Sequence, residues 1–109
     1  MAKKSEEQLE IDRLTEIYKG LPPKQFALAQ GLIAEAARLR VRCNALWKDL
    51  QENGEVEMFA QGEQDPYERE RPASRIYTAA NKSYQSIIKQ LNDMIPKDAD
   101  APAGGFDVS

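Results

Sequence analysis

The chain of 109 residues contains no histidine. That removes the commonest general base and the commonest imidazole metal ligand, and with them Cys–His nucleophiles, zinc fingers of the Cys/His kind and HNH-type nucleases. Cysteine occurs once, at Cys43, so no internal disulfide framework is available. Apolar runs never approach the eighteen or so residues needed to span a bilayer. The opening Met1-Ala2-Lys3-Lys4-Ser5-Glu6-Glu7 has no apolar stretch of the secretory kind. Six glycines are scattered, and none forms a phosphate-cradling loop. These absences point to a non-enzymatic cytoplasmic protein without cofactor or metal, although a carboxylate–metal site at Glu55, Glu57 and Asp65 remains open on residue type alone.

What is present is helical patterning. Leu28, Leu32, Ala36, Leu39, Cys43, Leu46 and Leu50 follow one another at alternating steps of four and three. Ala73, Tyr77, Ala80, Tyr84, Ile87, Leu91 and Met94 do the same. Such spacing keeps one narrow apolar seam facing one partner. The expected fold is all-α: a long antiparallel, coiled-coil-like helical hairpin preceded by a short N-terminal helix.

Boundaries follow from the punctuation. Ser5 followed by Gln8 reads as a capping box for a first helix over about residues 5–19. Gly20-Leu21-Pro22-Pro23 ends it, and proline then opens a second helix from Pro23 to Asn53, closed by Gly54. The third helix starts near Pro72 and stops before Pro96. The chain therefore divides into an N-terminal helix and Pro-Pro turn (1–23), a hairpin domain (24–95) with an acidic connector (54–71), and an unstructured acidic tail (96–109). The connector reads as a long working loop with one helical turn near residues 55–60.

Charge is unevenly spread. Residues 1–23 carry −1, 24–54 carry +2, 55–71 carry −4, 72–95 carry +2 and 96–109 carry −2, for a net −3. Arg38 and Arg42 lie one turn apart on α-helical spacing. Arg75, Lys82 and Lys89 recur at seven-residue steps away from the seam of the third helix. A row of cations at that pitch suits a phosphate backbone. The same row also suits an ordinary solvated helix surface, with Glu35 pairing Arg38 and Lys89 pairing Asp93. On the second helix Ala34, Ala37, Val41 and Ala45 line a further face, and Phe26, Ala29, Ile33 and Trp47 a third flank. One partner helix cannot cover so wide an apolar surface, so the alanine face and Trp47 either meet another subunit or stand in water.

The stretch Pro66-Tyr67-Glu68-Arg69-Glu70-Arg71-Pro72 with Ala73-Ser74-Arg75-Ile76-Tyr77 resembles terminase small subunits of tailed phages of Gram-positive bacteria. So do Asn81-Lys82-Ser83-Tyr84-Gln85-Ser86-Ile87-Ile88-Lys89-Gln90-Leu91 and Leu32-Ile33-Ala34-Glu35-Ala36-Ala37-Arg38-Leu39-Arg40. The similarity spans about residues 14–96, and none of its motifs is catalytic. It implies a viral genome-packaging adaptor in the infected host cytoplasm. Such a protein forms a homo-oligomeric ring, binds double-stranded viral DNA and recruits the terminase large subunit. Arg69, Arg71, Arg75, Lys82 and Lys89 are the implied DNA contacts, and the tail ending Phe106-Asp107-Val108-Ser109 is an implied docking peptide for the large subunit. Many such proteins begin with a helix-turn-helix module. This chain opens instead on an acidic helix, which favours backbone contact over base reading. The competing reading is a helical protein–protein interaction module, an inhibitor or scaffold acting through residues 54–71 without DNA.

Overall fold

The structure is a computed structural model and describes residues 3–96. It is mostly helical, with three helices and a two-stranded sheet in the order α1 (Glu6–Tyr18), α2 (Pro23–Asn53), β1 (Val56–Phe59), β2 (Tyr67–Glu70) and α3 (Pro72–Asp93). The tail from residue 97 onward, including its expected docking peptide, lies outside the described residues.

Local chemistry accounts for the helix ends. Ser5 Oγ accepts from the Gln8 N–H at 3.0 Å and caps α1. The Gln8 side chain does not return the bond; its Nε2 donates to Asp12 Oδ1 at 3.0 Å, so the expected capping box is only half made. Pro23 and Pro72 each occupy the first turn of their helices, where a missing N–H costs nothing. Gly54 takes φ +83°, a value open to glycine, and its N–H closes α2 onto the Leu50 carbonyl at 2.8 Å.

With 31 residues, α2 is a rod of about 46 Å. Along it α3 doubles back: Asp49 pairs with Arg71, Trp47 with Tyr77, and Arg40 with Tyr84, so the partner number rises as the α2 number falls. All seven α3 seam residues are buried or half-buried, as expected. On α2 six of seven are, but Leu28 is 67% exposed.

The reason is α1. It packs along α2 from Ala29 to the neighbourhood of Val41, so the N-terminal half must serve two neighbours at once. The core there is Leu14, Tyr18, Leu21, Ala29, Ile33, Ala36 and Leu91, with Leu14, Ile33 and Leu91 fully buried. Each large side chain so enclosed contributes about 1.5–3 kcal/mol. The buried line of α2 thus runs through Ala29 and Ile33, which heptad spacing assigns to a separate flank, and Leu28 turns to solvent.

One expectation is overturned outright. The connector is not a loop with a helical turn but an antiparallel β-hairpin, with Val56 opposite Glu70, Glu57 opposite Arg69, Met58 opposite Glu68 and Phe59 opposite Tyr67. Cross-strand chemistry holds it. Arg69 Nε donates to Glu57 Oε2 at 2.7 Å, the Arg69 guanidinium lies 3.7 Å from the Phe59 ring centroid, and Phe59 meets Tyr67 edge-on at 5.9 Å. Each such pair contributes about 0.2–1 kcal/mol. Gly62, at φ +63°, lets the chain turn between the strands.

A candidate interaction surface on the helices and the hairpin

Arg71 stands where α2, the hairpin and α3 meet. Its backbone N–H donates to the Glu55 carbonyl at 2.8 Å, and its Nη1 donates to the Gly54 carbonyl at 2.7 Å. Its Nη2 donates to both carboxylate oxygens of Asp49 at 3.1 Å. Hydrogen bonds from Asn53 first, and then from Arg71, hold the Asp49 carboxyl below the usual carboxylate range. Through these bonds Arg71 pins the hairpin base to the end of α2. Those bonds tie the residue implied as a DNA contact to the scaffold as well.

Arg69 is committed as well, to Glu57 and the Phe59 face. The three α3 cations differ. Arg75 is 75% exposed with a loose 3.7 Å approach to Glu70, and Lys89 is 77% exposed beside Asp93 at 3.2 Å. Lys82 is exposed and, among the described residues, has no carboxylate within ion-pair distance. Exposed pairs of this kind are weak and are readily exchanged for another anion. The Arg38–Glu35 pair anticipated from spacing is also present, at 2.6 Å.

The candidate subunit face divides similarly. Ala37, assigned to that face from spacing, is fully buried inside the single chain. Ala34 and Val41 are half-buried, and Val41 lines two grooves whose other walls include Glu7 in one and Glu6, Leu9 and Glu10 in the other. So α1 lies along part of the alanine face rather than beside it. Ala45 is exposed, and Trp47 is 47% exposed with its ring 5.4 Å from Tyr77.

Two buried polar groups belong to the scaffold. Tyr18 Oη donates to Asn92 Oδ1 at 2.6 Å, and burial pushes the phenol pKa up. Burial likewise raises the Cys43 thiol, which keeps it in its unreactive protonated form. Glu10, hydrogen-bonded by Arg13, is held below its ordinary range. Among the described residues no three His, Cys, Asp or Glu side chains group as a metal site, and no helix is long and apolar enough to cross a membrane.

Sequence reasoning missed the hairpin's exposed face. Val56 and Met58 point the same way from β1, 53% and 64% exposed, opposite Glu70 and Glu68. The alternation of apolar and acidic residues over 55–58 was the available signal. No family model matches the chain, and neither a curated protein nor a solved structure is found that matches it.

Proposed function

We propose that the protein is a non-enzymatic, oligomeric DNA-packaging adaptor of the terminase small-subunit kind, contacting double-stranded viral DNA and recruiting the large terminase motor. In this reading α2 and α3 form a coiled-coil-like antiparallel hairpin that supplies the assembly surface. The observation that carries the DNA half is the row of Arg75, Lys82 and Lys89 on the outer side of α3, well exposed and weakly partnered. Seven residues of helix advance about 10.5 Å, so the row offers a line of charge along the rod rather than a pocket. A line of that kind suits a polyanion backbone and reads no bases, so the binding is expected to be strongly salt-dependent and nearly indifferent to sequence.

The sequence resemblance and the Trp47–Ala45 surface support self-association. A mass measurement in solution, with and without duplex DNA at low and high salt, tests both halves. The reading expects a multi-subunit species that retains DNA at low salt and releases it as salt rises. A single-chain mass together with no retention at low salt removes it.

A second reading draws on the hairpin. Its exposed Val56–Met58 face favours a protein partner, which fits a helical inhibitor or scaffold that never touches DNA. DNA retention at low salt separates the two.

A further inference from the structure

Charge on this molecule is segregated, with acid gathered on the hairpin segment and a net positive balance on α2 and α3. Glu55, Glu57, Glu68 and Glu70 lie on or beside the strands, and Glu63 and Asp65 lie in the loop that joins them, so residues 55–71 carry −4. Among the described residues only Glu57 and Glu70 of these six acids reach a cation, Arg69 and Arg75 respectively. One face of the hairpin is filled by Phe59, Tyr67 and the Arg69–Glu57 pair. The other presents Val56 and Met58 to solvent, bordered by Glu68 and Glu70. It is an apolar strip with an acidic edge.

The helices carry the complement. Between α2 and α3 lies a groove of about 270 Å³, lined by Leu39, Arg42, Ile76, Ala79, Ala80 and Ser83. Leu39 and Arg42 also border a neighbouring groove of about 430 Å³, lined too by Glu7, Val41 and the Arg38–Glu35 pair, so Arg38 must exchange Glu35 for any new carboxylate. Among the described residues Arg42 has no ion-pair partner, and Ile76 is 40% exposed. This is an apolar floor edged by the cation of Arg42.

The two patches do not meet within one copy. The hairpin springs from Gly54, about 18 Å along the helix from Arg42 at 1.5 Å per residue, and its base is fixed there by Arg71. We infer that the Val56–Met58 face of one copy docks into the Leu39–Ile76–Ala79 groove of a second copy, with Glu68 and Glu70 meeting Arg42 and Arg38. This rests on the oligomeric half of the proposed function and names the surfaces that would build it. Hairpin-to-hairpin strand pairing is opposed, because it brings two segments of −4 together. The two patches differ, so the contact is head-to-tail, and repeating it closes a ring or grows a filament.

Charge exchange tests this. One variant carries Glu68→Lys and Glu70→Lys; the other carries Arg38→Glu and Arg42→Glu. Helical circular dichroism confirms that each is folded, and light scattering gives the mass of each alone and of their equimolar mixture. Each variant alone is expected to associate roughly tenfold or more weakly than the unaltered chain. The mixture is expected to regain the full mass, since each hairpin then meets a groove of opposite charge.

A single-chain mass for the unaltered protein at tens of micromolar overturns the inference. So does loss of association in the hairpin variant without loss in the groove variant, which would place the hairpin on another surface or another protein. Unchanged mass in both variants overturns the docking while leaving an oligomer built otherwise. DNA retention, read in the unaltered chain and in the groove variant, whose substitutions leave Arg75 and its Glu70 partner in place, shows whether the adaptor reading fails with it.

Discussion

The guanidinium of Arg71, at the entrance to α3, grips both carboxylate oxygens of Asp49 near the exit of α2, at 3.1 Å each. This contact fixes the angle at which the hairpin leaves the helices. Arg71→Ala removes it together with the bond to the Gly54 carbonyl. Both contacts join the end of α2 to the base of the hairpin, so a loss of stability is expected. Thermal denaturation should show a clear fall in Tm, while DNA retention at low salt stays as before. A fall in retention with no change in Tm would return Arg71 to the DNA surface.

Tyr18→Phe isolates the bond to Asn92. It should cost about 1 kcal/mol, because Asn92 is exposed and water can satisfy its oxygen. The phenol's folded pKa is raised by burial, so its contribution is complete below the ordinary tyrosine value of about 10 and fades as pH climbs through the raised one. Denaturant titrations across that alkaline window should show the unaltered protein losing stability more steeply than the phenylalanine variant. Parallel curves would mean that the phenol ionises freely in the fold.

Two leucines separate the observed core from a strict heptad. Leu91 is fully buried, and Leu91→Ala should cost about 2–5 kcal/mol. Leu28 is 67% exposed, and Leu28→Ala should fall within about 0.5 kcal/mol of the unaltered protein. Urea melts of the two, run side by side, decide it. Equal losses would put Leu28 back in the seam.

Gly31 sits in the middle of α2 with nothing within 4 Å of the place a Cβ would take, and its backbone is ordinary helix. Gly31→Ala should therefore stabilise the chain by about 0.5–1 kcal/mol. A higher melting point with unchanged solution mass is the expected pair of results. A drop in mass on substitution would show that a second chain approaches the glycine closely.

For the α3 row, Arg75→Glu, Lys82→Glu and Lys89→Glu together should abolish DNA retention at low salt while leaving Tm nearly unchanged, since none of the three is buried. Replacing them singly by alanine should flatten the salt dependence by about 0.9 in log–log slope for every phosphate left unneutralised. Undiminished retention in the triple variant would move DNA off this helix.

The helices were legible because their ends are marked by chemistry with one meaning. Proline at the first turn and Asn53-Gly54 at the far end place α2 at Pro23–Asn53, which is where it lies. The buried line of α2 was less legible. A heptad assumes one partner, whereas Ala29, Ile33 and Ala36 answer to α1 and α3 together. The hairpin was missed for a different reason. Its residues are exposed or half-buried, so no continuous apolar strand marks it, and the Glu57–Arg69 pair that fixes its register spans twelve residues of charged sequence. Of the candidate DNA contacts, spacing alone could not distinguish Arg71, bound into the scaffold, from Lys82, exposed and without an ion pair among the described residues. That difference depends on Asp49, 22 residues earlier in the chain.

The bond from the Arg71 N–H to the Glu55 carbonyl brings the two ends of the hairpin to one point. An insert with coincident ends is a cassette: it can be trimmed, lengthened or exchanged while the helices beneath keep their packing. Surface changes on that cassette can accumulate on a scaffold that does not have to change.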